Sequence, residues 1–287
     1  AAAFLVLGAR LAKGLDRVPR WMIDFVLACM AFYIARRTMM VATHGWPQVQ
    51  DEIAFDRLAR RMALGHPIPA THPLAEFFHL RFFVEDGRSY PVFQPGWPAL
   101  LAIGHRFHVP TFIPPLATAA FAVAVSRLAD RMYGRLASVL AGLVCVASGF
   151  LAYLGASYFS HLWAAALYAF AIERLVAMVE AETPRIAKRR AIVAGLAVAW
   201  LLLTRIPSLL ALVLPLLPLG AYAIDRLRLR PRLAKPMLAF ALVAALGPLG
   251  QIGWNLATTR HAFELPQDKY FALTEPKANC HQLGFGP

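Results

Sequence analysis

Long apolar runs, separated by short clusters of basic residues, set the layout of this 287-residue chain. Runs near 21–42, 110–129, 136–154, 158–178 and 236–256 each match the roughly 20 helical residues needed to cross a hydrocarbon core about 30 Å thick. A sixth run, 191–223, would make one helix of about 50 Å, too long for a single crossing. Three basic clusters lie between the runs: Arg127, Arg131 and Arg135; Arg185, Lys188, Arg189 and Arg190; and Arg226, Arg228, Arg230, Arg232 and Lys235. The turn at Gly155–Ser157 carries no basic residue. Basic loops are retained on the cytoplasmic side, so 191–223 is predicted to cross twice and turn outside. Thr204-Arg205-Ile206-Pro207, where proline follows a charge, marks that turn. Parity then places the loop 43–109 and the segment 257–287 outside the cytoplasm. Asp24, Arg36 and Arg37 interrupt the first run and make it the weakest of the spans.

Composition strengthens this picture. Apolar residues make up 59% of the chain and charged residues 16%, against about 25% charged in an ordinary soluble domain, and the mean hydropathy is +0.54. A soluble globule, a disordered chain and a disulfide scaffold are excluded. The net charge of +13 is read as the positive-inside bias of membrane loops, and nucleic acid is not expected as a partner. The fold class is therefore all-α, a polytopic transmembrane bundle forming a single domain over 1–287, whose abrupt close at Gly284-Phe285-Gly286-Pro287 reads as a cut before further C-terminal chain.

The long external loop is where chemistry is expected. Asp51-Glu52 opens it, followed by IAFDRLARRMALG, a helical pattern with Ile53, Ala54, Leu58, Ala59 and Met62 on one side and Gly65 as its stop. This pattern predicts an amphipathic helix lying on the membrane surface. An aromatic, proline-rich return follows, from Thr71 to Gly104. Asp51 has two readings: a helix N-cap beside a dipole-stabilised Glu52, or a general base at the water–lipid boundary. Arg205 either anchors to headgroups or holds a lipid phosphate in its planar fork. Tyr90, Phe93 and Trp97 line a pocket or anchor the interface. Beside Tyr158, His161 stands at the outer mouth of a span, as a hydrogen-bonded interfacial residue or a catalyst. Among nine histidines there is no HExxH, so no metal site is assigned and a divalent ion has no support. The pattern contains no GxGxxG, Walker, GxSxG or CxxC motif. Cys29 and Cys145 read as core hydrophobes, and Cys280 as either a free thiol or half of a bridge.

The order QDEIAFDRLARRMALGHP, THPLAEFFHLRFFV, YPVFQPGWPALLAIG, SYFSH and GLAVAWLLLTRIPSLLALVLPL resembles the GT-C glycosyltransferases. The nearest groups are the protein O-mannosyltransferase and lipid A aminoarabinose transferase relatives, including an uncharacterised bacterial branch. The resemblance covers about 21–287, including NLATTRHAFELP and NCHQLGFGP in the external tail. It implies a multi-pass enzyme of the bacterial inner (plasma) membrane, working on the extracytoplasmic face. Such an enzyme moves a sugar from a polyprenyl-phosphate carrier to a lipid, glycan or protein acceptor. It implies further that Asp51 is the catalytic carboxylate with Glu52 as its neighbour, and that Arg205 meets the donor phosphate. Tyr90, Trp97, Tyr158 and His161 become candidate substrate-pocket residues, with membrane lipids as surroundings. Relatives carry a Thr-Arg-Pro-like turn, whereas here Ile206 intervenes before Pro207. The competing functions are a flippase for lipid-linked sugars and a non-catalytic membrane scaffold. The absence of internal repeats and of mid-membrane polar breaks weighs against the former.

Overall fold

A computed structural model describes residues 13–75, 81–208 and 231–274. Helix α1 spans Arg20–Thr38 and continues as a π-turn over Met39–Thr43, closed by His44 and Gly45 in left-handed conformations. The loop that follows holds α2 (Gln50–Ala63), a hairpin of β1 (Phe83–Glu85) and β2 (Ser89–Pro91), and α3 (Gly96–Arg106). Then come α4 (Ile113–Tyr133), α5 (Arg135–Ala147), α6 (Gly149–Gly155), α7 (His161–Val179) and α8 (Pro184–Thr204). The last elements are α9 (Ala234–Ala244), α10 (Leu246–Thr258) and α11 (Pro266–Thr274).

Among the described residues four helices are long and apolar enough to cross a membrane: Arg20–Thr43, Pro110–Tyr133, His161–Val179 and Pro231–Thr258, with the bent α5–α6 pair as a fifth if it counts as one span. Helix α4 packs against α1, α5 and α7, while α8 packs against α7, α9 and α10. The contacts are made by small residues. Ala164, Ala171 and Ala197 are buried with Leu167 and Leu201 between α7 and α8, and Ala31 and Ala122 with Leu27 between α1 and α4. Alanines let backbones approach closely, which is how helices gain packing where lipid offers no hydrophobic drive. Large apolar side chains cover the outside instead, Phe25 being 64% exposed and Val144 69%. Water would not tolerate such a surface on a monomer.

The helical framework follows the hydropathy, but several details depart from it. The run 136–154 is broken: Ser148 leaves the helix at φ −73°, ψ 111° and accepts from the Leu151 N–H at 3.3 Å, and the two pieces bend by 67°. Serine caps a new helix here rather than continuing the old one. The run 236–256 divides at Ala245, where Pro248 lacks the N–H that would bond Ala244. The second basic cluster was expected in a loop, yet it occupies the first two turns of α8. Thr183 caps that helix through Oγ1 and Pro184 takes its first position. Helix α8 ends at Thr204 because Arg205 is extended, at φ −162°, ψ 100°. The second crossing expected beyond it, ending at 223, falls within 209–230, which lies outside the described residues, as do the tail 275–287 and Cys280.

The segment between α1 and α4, expected to be an external loop, differs most. Helix α2 does not offer a free apolar face to lipid: Ala54, Phe55, Leu58 and Ala59 are buried, whereas Ile53 is exposed. Phe55 and Ala59 join Met39, Trp97, Leu101, Ile113, Ala117, Ala156 and Tyr158 in one core. A β-hairpin also appears in the otherwise helical chain, with Gly87 at φ 89° in its Asp86-Gly87-Arg88 turn.

Candidate functional site

At the end of the bundle where α1 finishes and α4 and α7 begin, three distant chain segments converge. The first is the N-terminus of α2. Val49, extended, holds the N-cap position and makes no side-chain cap, so Asp51 is not the N-cap but lies in the first turn, where the helix dipole favours a negative charge. Glu52 is buried, and its Oε2 accepts from the Gln48 N–H at 3.0 Å. The backbone N–H of Tyr158 also lies within its hydrogen-bonding reach. Both carboxyls are held above the ordinary range, first of all by burial. In Asp51 the nearby Arg205 charge opposes that effect, and in Glu52 the neighbouring Asp51 adds to it.

The second segment is the turn before α7, fixed by Tyr158. Its carbonyl accepts from Trp97 Nε1 at 2.6 Å, and its hydroxyl donates to the Gly45 carbonyl at 3.1 Å. Burial pushes the phenol up to about 12, so it stays neutral. Phe159 stacks edge-on against His161, ring centres 5.1 Å apart.

The third segment is the end of α8. Gly96 is so close to this helix that an added Cβ would sit 2.7 Å from the Leu203 carbonyl carbon and oxygen. Trp200 Nε1 donates to the Gly96 carbonyl at 3.0 Å, and Trp163 packs across Trp200. This contact sets the height at which α8 stops and Arg205 emerges. Arg205 then lines a cavity of about 410 Å³ with His161, Ala164, Ala165, Tyr168, Pro207 and Ser208. Its charge reaches both Asp51 and His161.

Asp51, Glu52, Tyr158, His161 and Arg205 thus come together, though in unlike roles. Asp51, Arg205 and His161 retain exposure, while Glu52 and Tyr158 are locked into the scaffold. Trp97 is fully buried and supports the turn instead of lining an opening. Tyr90 sits elsewhere, fully buried on β2, its hydroxyl donating to Asp86 Oδ2 at 3.2 Å. Asp86 also pairs with Lys269, which ties the hairpin to α11. Arg88 reaches the carbonyls of Ala257 and Thr258 at 2.6 and 2.7 Å, capping the C-terminus of α10.

Several contributors have no signature in the sequence reading. Asp56 holds Arg60 Nε and His105 Nε2, each at 2.8 Å, and so joins α2 to α3; those bonds lower its carboxyl against the cost of burial. The i,i+4 spacing of Asp56 and Arg60 was a usable sign, whereas His105 lies 49 residues away. Among the described residues no three His, Cys, Asp or Glu side chains converge as a metal site would require. Chemically, the end of the bundle offers a partly exposed carboxylate, a guanidinium within its field, and a cavity walled partly by alanines. No protein-family model matches the chain and no curated protein matches it, so the likeness to GT-C glycosyltransferases rests on the motifs of the sequence alone.

Proposed function

We propose that the chain is an integral-membrane glycosyltransferase that uses a polyprenyl-phosphate sugar and works on the extracytoplasmic face. One observation carries this: Asp51, at the head of α2, and Arg205, at the end of α8, share an electrostatic neighbourhood beside a cavity with both charged and apolar walls. A polyprenyl-phosphate donor has the same division, its phosphate at the interface and its chain among the helices. Arg205 faces the departing phosphate and offsets its charge. Asp51 takes the proton of the acceptor hydroxyl or amine as the anomeric carbon gains oxocarbenium character, and opposes that positive charge. A carboxyl raised by burial is a better proton acceptor than an ordinary aspartate. Glu52 acts through the scaffold, fixing the Tyr158 turn against α2.

The test is transfer in vesicles containing the protein and a panel of labelled polyprenyl-phosphate sugars. Transfer by the native chain that vanishes in Asp51→Asn, at equal membrane levels, supports the assignment. Equal transfer by both removes Asp51 from the mechanism. Movement of labelled lipid between leaflets without transfer would replace the enzyme by a flippase.

A further inference from the structure

A second cavity, of about 490 Å³, opens on the opposite side of α2 from its buried face. Arg57, Arg61, His72, Glu85 and Ser89 bring polar groups to it, and Pro69 and Leu74 apolar ones. Arg57 and Arg61 are one helical turn apart, so both side chains project along one stripe of α2. Both guanidinium groups stand over the same Phe83 ring, at 5.5 and 5.3 Å from its centre. Arg61 donates to the Ser89 carbonyl and hydroxyl, each at 2.9 Å, and these partners are neutral. Arg60, by contrast, is paired with Asp56 at 2.8 Å. Among the described residues, neither Arg57 nor Arg61 has a carboxylate at ion-pair distance. Burial first and then the neighbouring Arg57 charge hold Arg61 below its ordinary value, and the Glu85 carboxylate offsets them only in part. Among the described residues the one acid lining the cavity is Glu85, whose Oε1 already accepts from the Ser89 hydroxyl at 2.7 Å.

Two arginines held side by side on one aromatic ring, facing an open volume, cost repulsion unless an anion lies between them. We infer that this cleft binds a phosphate group, independently of Arg205. Phosphate suits it better than carboxylate because it brings close to two negative charges and three acceptor oxygens to the Arg57 fork and to the N–H groups that Arg61 has left beyond its Ser89 bonds. Phe83 and the Ser89 contacts hold the forks in place before the ligand arrives, which lowers the cost of ordering them. The phosphate can belong to a lipid headgroup or be free in solution; the chemistry at the arginines is the same.

Two arms separate these sources, both with the full chain in phosphatidylcholine nanodiscs. In the first, inorganic phosphate is titrated by calorimetry. In the second, phosphatidic acid is added to the bilayer and the lipid retained by the protein is counted by native mass spectrometry. Saturable binding in either arm is expected, weakened roughly tenfold or more by Arg57→Gln with Arg61→Gln. Arg57→Gln alone, which leaves the Arg61–Ser89 bonds intact, should weaken it severalfold and carries the test if the double variant does not fold. Arg60→Gln should bind as the native chain does, and so should Asp51→Asn, whatever becomes of sugar transfer. Retention of phosphatidic acid without binding of inorganic phosphate assigns a lipid headgroup; binding of both assigns a phosphate that need not be carried by lipid. No saturable binding in either arm, or equal binding by the Arg57 variants, overturns the site.

Discussion

The two ends of the helical bundle use charge in opposite ways. At the end where α1 starts and α4 and α7 finish, the acids that face the bundle are paired with arginines. Asp24 is held by Arg20 at 2.8 Å and by Arg127 at 2.7 Å, and Glu173 by Arg131 at 2.5 Å and by Arg174. Asp130 joins Arg20 at 3.3 Å and Arg135 at 3.5 Å. At the other end Asp51 and Arg205 influence each other without an ion pair, and the carboxyls of Asp51 and Glu52 are held above the ordinary range by burial. A helix bundle closes one end with a neutralised network, and that rigid end lets the other keep charges unsatisfied. Unpaired groups near a cavity are available to a ligand, whereas paired ones serve packing and register.

Breaking the paired end should have the largest effect on stability. Glu173→Gln leaves Arg131 and Arg174 without their buried partner and should cost about 3–5 kcal/mol, read as a lowered thermal midpoint in micelles. Next is Gly96→Ala, which forces α3 away from backbone atoms of Leu203 and Thr204 that a Cβ would meet at 2.7–2.8 Å. Overpacking of this kind costs about 1–3 kcal/mol. Because Arg205 follows Thr204 directly, transfer should fall as well. A smaller effect separates the acids of α2 by pH. The Glu52 carboxyl is raised above its ordinary value of 4.5, so ionising it opposes folding, and stability declines as pH rises through the window above 4.5. Asp56 is lowered below 3.8, so its contribution is present above that pH and is lost on acidification below it. Unfolding measured across pH should show a shallower first slope in Glu52→Gln, with Asp51 supplying the remainder, and should lose the second in Asp56→Asn. Smallest of all is the stability change in Asp51→Asn, within about 0.5 kcal/mol, since its side chain is partly exposed.

The sequence made the frame of this contrast readable, and physical reasons explain where it stopped. Hydropathy runs located four helices of membrane-crossing length because lipid demands a fixed apolar length, and Gly65 and the Thr183-Pro184 pair mark helix ends by local rules. Asp24, by contrast, seemed only to weaken the first span. Its partner Arg127 is 103 residues away, so the pairing that makes Asp24 tolerable is tertiary. Glu52 looked like a second candidate base, yet the Tyr158 turn that buries it comes from a distant helix junction. The hairpin left a local trace in Asp86-Gly87, a dipeptide suited to a tight turn, but strands of three residues carry too little alternation to stand out. The pairing of Arg57 with Arg61 was visible as spacing; that both meet Phe83 and a cavity was not.

The direct test of the division between the ends is to measure sugar transfer and thermal midpoint on the same preparations of Asp51→Asn and Glu173→Gln. Asp51→Asn should abolish transfer with its midpoint unchanged, while Glu173→Gln should lower the midpoint and keep its transfer rate per folded molecule below that temperature. Full transfer by Asp51→Asn, or a loss of transfer in Glu173→Gln with no loss of stability, would contradict it.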